Sequence, residues 1–135
     1  MSTLKNLEVD ESLADISLEP VSRIDLIKYA GASGDYNPIH TIDEEAKNAG
    51  LPGIIAHGMW TMGNLTKLFT RFYEEGFIQD YSIRFKGMVF LNDVITLKAT
   101  VKEKNQEGLK FAVKAENQHG KETLKGEVFY KVYDI

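Results

Sequence analysis

The apolar positions of this chain change period once, near residue 76. Between residues 58 and 75, Phe72, Leu65, Phe69, Met62, Tyr73, Met59 and Gly63 share one broad arc of a 3.6-residue wheel, while Glu74, Lys67, Arg71, Asn64 and Glu75 crowd into a narrow polar strip. This predicts a mostly buried helix from Gly58 to about Glu75. Beyond Gly76 the alternation is by twos: Tyr81, Ile83 and Phe85 against Ser82, Arg84 and Lys86. Three further apolar rows follow, Ile95 to Val101, Leu109 to Ala115 and Leu124 to Val132, with turn residues at Asn105–Gly108 and Gln118–Lys121. Short connections of this kind predict antiparallel neighbours in chain order. The alternate positions hold Lys98, Lys102, Lys110, Lys114, Glu116 and Lys125, so the sheet has a core side and a wet side. Only strands are available to cover the helix, and an α+β fold with a sheet wrapped around one central helix is the simplest arrangement that hides its apolar arc.

The first half is less regular. Residues 1–12 are polar, and Leu13, Ile16 and Leu18 suit a short first strand or an extended entry segment. Ser22 followed by Asp25 reads as a helix N-cap, with Ile24, Leu26, Ile27, Tyr29 and Ala30 at helical spacing and a stop at Gly31 or Gly34. The stretch Asp35 to His40 must then turn sharply, because the residue before Pro38 is steered away from helix. A second short helix is predicted with Asp43, Glu44 and Glu45 in its first turn and Gly50 as its C-cap, and Leu51-Pro52-Gly53 leads into the central helix.

Composition narrows the function. A chain of 135 residues without repeats or low-complexity tracts is expected to form a single domain over 1–135. A net charge of -4 with no Lys/Arg block offers no footprint for nucleic acid or an anionic membrane surface. No apolar run approaches the roughly 18 residues of a membrane helix, and no signal segment leads the chain, so a cytoplasmic protein is expected. Disulfide and thiolate chemistry are excluded by the absence of cysteine, and three histidines without ligand spacing give no support for a metal site.

Few residues remain that could carry chemistry. Asp35 and His40 flank a proline turn that can bring carboxylate and imidazole together around one water, which is a general acid/base pair. Spacing alone equally suits, and indeed favours, an aspartate that caps a turn and a histidine satisfied in the structure. Gly58 opens a buried helix whose first N–H groups have no intrahelical partner, a natural seat for an oxyanion or thioester carbonyl; an ordinary capping or packing glycine would look the same. His57 is either a third catalytic group or an imidazole bonded to backbone, the second being the usual case. His119 sits at a hairpin tip and is expected to be inert.

In order, Tyr29-Ala30, Ser33-Gly34-Asp35-Tyr36-Asn37-Pro38-Ile39-His40, Ala46, Gly50 and Ile55-Ala56-His57-Gly58-Met59 closely resemble the MaoC-like (R)-specific enoyl-thioester hydratases and dehydratases. The resemblance covers most of the chain, and its motif, Asp-x-Asn-Pro-x-His, stands at Asp35 to His40. It implies the hot dog fold, in agreement with the layout above. It also implies that Asp35 and His40 activate water for addition to C3 of a trans-2-enoyl thioester and return a proton to C2, or run the reverse dehydration, with Gly58 N–H facing the enolate oxygen. Asn37 and Met59, inside the motifs, are expected to contact the substrate; Thr66, eight residues after Gly58, either bonds its hydroxyl back to the Met62 carbonyl or faces the site and helps orient Asp35 or the water. No cofactor or metal is implied. The partners implied are an acyl-CoA or acyl-carrier-protein thioester and a second copy of the chain, with a non-identical subunit as the variant. Trp60, where many relatives carry a smaller residue, could shorten the acyl pocket or pack in the core. A hot dog thioesterase would not need His40 beside Asp35, and a catalytically silent binding module would be expected to lack one of the two.

Overall fold

A computed structural model describes residues 3–133; residues 1, 2, 134 and 135, the ends of the expected domain, lie outside it. After a single 3-10 turn at Leu4–Asn6, the elements are β1 (Ile16–Ser17), α1 (Arg23–Ser33), α2 (Asp43–Asn48), α3 (Gly58–Leu65), α4 (Lys67–Thr70), β2 (Gly76–Phe85), β3 (Thr96–Lys104), β4 (Gly108–Glu116) and β5 (Glu122–Val132). The five strands form one antiparallel sheet in the order β1-β3-β4-β5-β2. Leu97, Ala99, Val101, Phe111, Val113, Leu124 and Val128 line its inner face and are nearly inaccessible, as are Leu65, Leu68, Phe69 and Phe72 of the helical segment they enclose. Phe69 packs edge-on against Phe111 at 5.1 Å and stacks on Tyr130 at 5.8 Å. The sheet curls tightly where Gly126 of β5 meets β2: a Cβ there would lie 2.1 Å from the Ser82 carbonyl oxygen, a contact only glycine permits.

Local signals in the first half hold. Ser22 and Asp25 form a reciprocal capping box, and α1 ends in Gly34 at φ 78°. Helix α2 carries the predicted acidic first turn, but its C-cap is Ala49; Gly50, one residue on, takes the left-handed conformation at φ 87°.

Two expectations are corrected. The central helix does not run unbroken to Glu75. It stops at Leu65, resumes for one turn and passes into turns after Thr70. The carbonyls that would continue it are taken by other groups. Asn64 Nδ2 donates to the Trp60 carbonyl at 2.9 Å, Tyr81 Oη to that of Met62 at 2.6 Å, and Thr66 N and Oγ1 to that of Gly63 at 3.2 and 2.6 Å. Burial pushes the Tyr81 phenol well above its ordinary range, so it stays a donor. Nor is the arc uniformly covered, since Met59 and Tyr73 are 55% and 70% exposed.

The second correction concerns β2, which is not the neighbour of β3 but lies at the far edge, paired with β5. After Lys86 and Gly87, which still donate to the Thr123 carbonyl of β5, the chain up to β3 leaves the sheet and is tied down elsewhere. Ala56 N donates to Val89 O at 2.8 Å, Ile55 bridges Phe90, and Val21 exchanges backbone hydrogen bonds with Asn92 and Asp93. The Asp93 carboxylate, buried, accepts from Phe90 N and Gln118 Nε2 and fixes the bend. This crossover carries Met88 and Val89 to the N-terminus of α3.

Candidate active site

The turn that holds Asp35 and His40 is built by side chains capping every second residue. Ser33 Oγ accepts from Asp35 N, Asp35 Oδ1 from Asn37 N and Asn37 Oδ1 from Ile39 N, at 3.1, 3.2 and 3.2 Å. Pro38 then opens a 3-10 turn that ends at His40. Arg23 clamps the far side, with one guanidinium nitrogen on the Thr41 carbonyl and the other on Asp43 at 2.9 Å. The turn-capping reading of Asp35 therefore holds, and it uses only one carboxylate oxygen, which leaves the other without a hydrogen bond among the described residues.

That free oxygen, Oδ2, lies 3.9 Å from His40 Nε2. The separation is too long for a direct hydrogen bond and is within the span of one water bonded to both. The other nitrogen of His40 is 2.7 Å from the Ile55 carbonyl. A carbonyl can only accept, so Nδ1 carries a proton and Nε2 is the nitrogen that faces Asp35. His40 is buried while the Asp35 side chain is half exposed, which places a buried imidazole beside a carboxylate open to solvent.

His40 opens onto a mainly apolar cleft of about 200 Å³, lined also by Gly58, Thr61, Phe85, Met88 and Thr123. Gly58 is the first residue of α3, His57 its N-cap without a side-chain cap bond, and the Gly58 N–H has no partner among the described residues. The free N–H at a helix start, in an apolar cleft shared with a base, suits a developing oxyanion. The Phe85 ring lies against Gly58, its Cε1 2.8 Å from where a Cβ would stand, so the ring guards the helix start.

Asp35, His40 and Gly58 are thus brought together, whereas the side chains of Asn37, Met59 and Thr66 do not join them. The Asn37 side chain is spent on its turn. Met59 projects outward, 55% exposed, and does not line the cleft. Thr66 gives its hydroxyl to the Gly63 carbonyl and borders a separate apolar groove with Phe69, Tyr73 and Phe77. The structure adds Thr61 and Phe85 to the site. Thr61 is three residues after Gly58, hence on the same helix face, and that spacing was the available signal. Phe85 could be read only as a strand residue. Trp60 is half-buried against the core.

Donor atoms of Asp35, His40 and His57 lie within 4.8 Å of one another. They do not suit a shared metal ion: the two imidazoles are stacked, centroids 3.8 Å apart with planes only 21° apart, so their in-plane lone pairs run side by side and do not converge.

A sheet curled round a buried helix defines a hot dog protein, and its cleft sets the His40 imidazole beside the free N-terminus of α3. The chain belongs to the MaoC like domain family, matched over residues 6–123. It is 41% identical over 73 residues to the fatty acid synthase beta subunit TOXC of Cochliobolus carbonum, a match spanning 52% of this chain and only 4% of that protein. It is 30% identical over 96 residues to an (R)-specific enoyl-CoA hydratase of Rhodospirillum rubrum, covering 70% of this chain and 67% of the other. Among solved structures, the unliganded R-hydratase PhaJ1 of Pseudomonas aeruginosa superposes with a TM-score of 0.89 at 25% identity, covering 98% of this chain and 86% of that one.

Proposed function

We propose that this chain is a hydro-lyase that adds water to trans-2-enoyl thioesters to give (R)-3-hydroxyacyl thioesters, or runs the reverse dehydration, in fatty-acid metabolism. The observation that carries the reading is the 3.9 Å gap between Asp35 Oδ2 and His40 Nε2, beside a cleft that also presents the Gly58 N–H. In hydration, a water held in that gap gives a proton to the pair as its oxygen bonds to C3. The C2=C3 electrons move toward the thioester, the carbonyl oxygen becomes an enolate, and the pair returns a proton to C2. One water is consumed and nothing is oxidised or reduced. The Gly58 N–H binds the oxygen more strongly as charge develops, so the contact lowers the barrier and not only the ground state.

The carrier is CoA or an acyl carrier protein. The working form is a homodimer, supported by a strip of uncovered apolar side chains along β2, with a non-identical partner subunit as the variant; the expected compartment is the cytoplasm. No helix among the described residues is long and apolar enough to cross a membrane.

The test follows crotonyl-CoA with two readouts, the conjugated enoyl absorbance and free thiol. Loss of enoyl absorbance without thiol release supports the hydro-lyase. Thiol release makes the chain a thioesterase, and no change with crotonyl-, hexenoyl- and octenoyl-CoA, or with the same acyl groups on acyl carrier protein, leaves it a binding module.

A further inference from the structure

His57 has no part in the proton transfers above, yet it is only 3% exposed and touches both members of the pair. Its ring stacks on His40, centroids 3.8 Å apart, and the Tyr29 ring from α1 packs against it at 4.8 Å. Its Nε2 lies 3.1 Å from the backbone carbonyl oxygen of Asp35. By the argument used for His40, that nitrogen must carry the proton, which leaves Nδ1 bare. Nδ1 is buried without a hydrogen-bond partner. A buried nitrogen left unpaired costs stability, and a phenylalanine would keep the ring stack without it. What phenylalanine lacks is the N–H that holds the Asp35 main chain.

We propose that His57 is the positioning residue of the Asp35–His40 pair. Its face fixes the ring plane of His40 and its N–H fixes the backbone at Asp35, so one side chain sets both ends of the gap that holds the water. The arrangement explains how an exposed aspartate at one end of the turn is kept in register with a buried histidine at its other end. His57 itself moves no proton. The inference rests on the pair's role proposed above, and it also makes claims about tautomer and ring contact that hold without any turnover.

Two substitutions separate the two contacts. His57→Phe keeps the stack and deletes the N–H, and His57→Gln keeps a donor and deletes the ring. In folded proteins, checked by circular dichroism and thermal melts, each should lower kcat on crotonyl-CoA roughly tenfold with KM little changed, since the gap is distorted and the substrate's contacts are not. Introduced into Asp35→Asn, neither should lower the residual rate further, because there is no pair left to position. Additive losses, or losses that fall on KM, would show a merely structural histidine.

The second measurement needs no activity. The chain has only three histidines, and solvent-exposed His119 serves as reference, so long-range ¹⁵N–¹H spectra can be assigned with single variants. His57 should appear as the Nε2–H tautomer and His40 as Nδ1–H. The ring proton of His40 should be shifted upfield by the stacked ring, a shift kept in His57→Phe and lost in His57→Gln. A His57 found as Nδ1–H, or a His40 signal indifferent to His57→Gln, overturns the inference. If wild-type protein leaves enoyl thioesters untouched, the hydro-lyase reading fails and these spectra alone decide whether His57 holds the two groups.

Discussion

At the scale of single residues, the proposed reaction divides the site into groups that would act on the substrate and groups that would aim them. Asp35 offers one oxygen to the gap and uses the other to close its own turn. Asp35→Asn should therefore retain the turn's acceptor and lose the base. His40→Ala removes the other half of the pair. Each should lower hydration about 10²-fold or more in a folded protein. Near wild-type rates in both would place the chemistry elsewhere. For Gly58 the informative comparison is between two substitutions. Proline suits the first position of a helix, and His57 before it is already extended at φ -63°, ψ 137°, as a residue preceding proline must be. Alanine introduces the same Cβ toward Phe85, whose half-exposed ring can swing aside, but keeps the N–H. Gly58→Ala should cost a few-fold in kcat and Gly58→Pro about 10² to 10³, the difference being the oxyanion donor. Equal losses would assign the effect to the ring contact.

What the sequence disclosed of this site follows from how local each contact is. Asp35 and His40 are joined by one turn, and a proline between them is enough to suggest that they meet. Gly58 is legible because a helix start is a local event. The stack of His57 on His40 depends on two segments being laid side by side by the Ile39–Ile55 hydrogen bond, which no period or spacing encodes. Thr66 takes the backbone-bonded alternative, on the Gly63 carbonyl and not that of Met62, because its wheel position was drawn on a straight helix and the real one breaks at that residue.

At the scale of elements, the alternating rows of β2 to β5 and the capping box of α1 were legible because each element supplies its own evidence. The order of strands was not, since a crossover is a long-range fact. Residues 86–95 look like one more connection, and only their hydrogen bonds to residues 21 and 56 show that they carry the chain across the helix start. The curl that lets β2 reach β5 depends on Gly126, with Ser82 O and the Ile83 Cα both too near for a side chain. These neighbours are backbone and cannot rotate away. Gly126→Ala should lower unfolding free energy by about 1–3 kcal/mol, measured by denaturant titration. A change under about 0.5 kcal/mol would mean that β2 sits looser on β5 than this contact implies.

At the scale of the whole molecule, the broken helix and β2 run side by side in opposite directions. Gly58 lies by Phe85, the Met62 carbonyl by Tyr81, and Phe69 and Tyr73 by Phe77 and Ile78. The other edge of β2 has no neighbour among the described strands. On β2 and the segments next to it, Met59, Tyr73, Phe77, Phe85, Met88 and Tyr133 are each 44% exposed or more, with Phe77 and Tyr133 in contact at 5.8 Å. An uncovered strand edge flanked by aromatic side chains is a poor surface to leave in water and a good one to pair with its own copy about a two-fold axis. It explains why Met59 and Tyr73, on the arc that a wheel marks as buried, are exposed in one chain. The prediction is that the purified protein sediments as a dimer. Phe77→Asp, at the end of β2 remote from Phe85 and the cleft, should shift it toward monomer, because pairing would bring two carboxylates and their lost hydration to the interface. Sedimentation velocity across a concentration series reads the outcome. A wild-type protein that is monomeric at tens of micromolar, or a Phe77→Asp protein that dimerises as tightly as wild type, would remove this edge as the interface and leave the exposed aromatic strip to a non-identical partner.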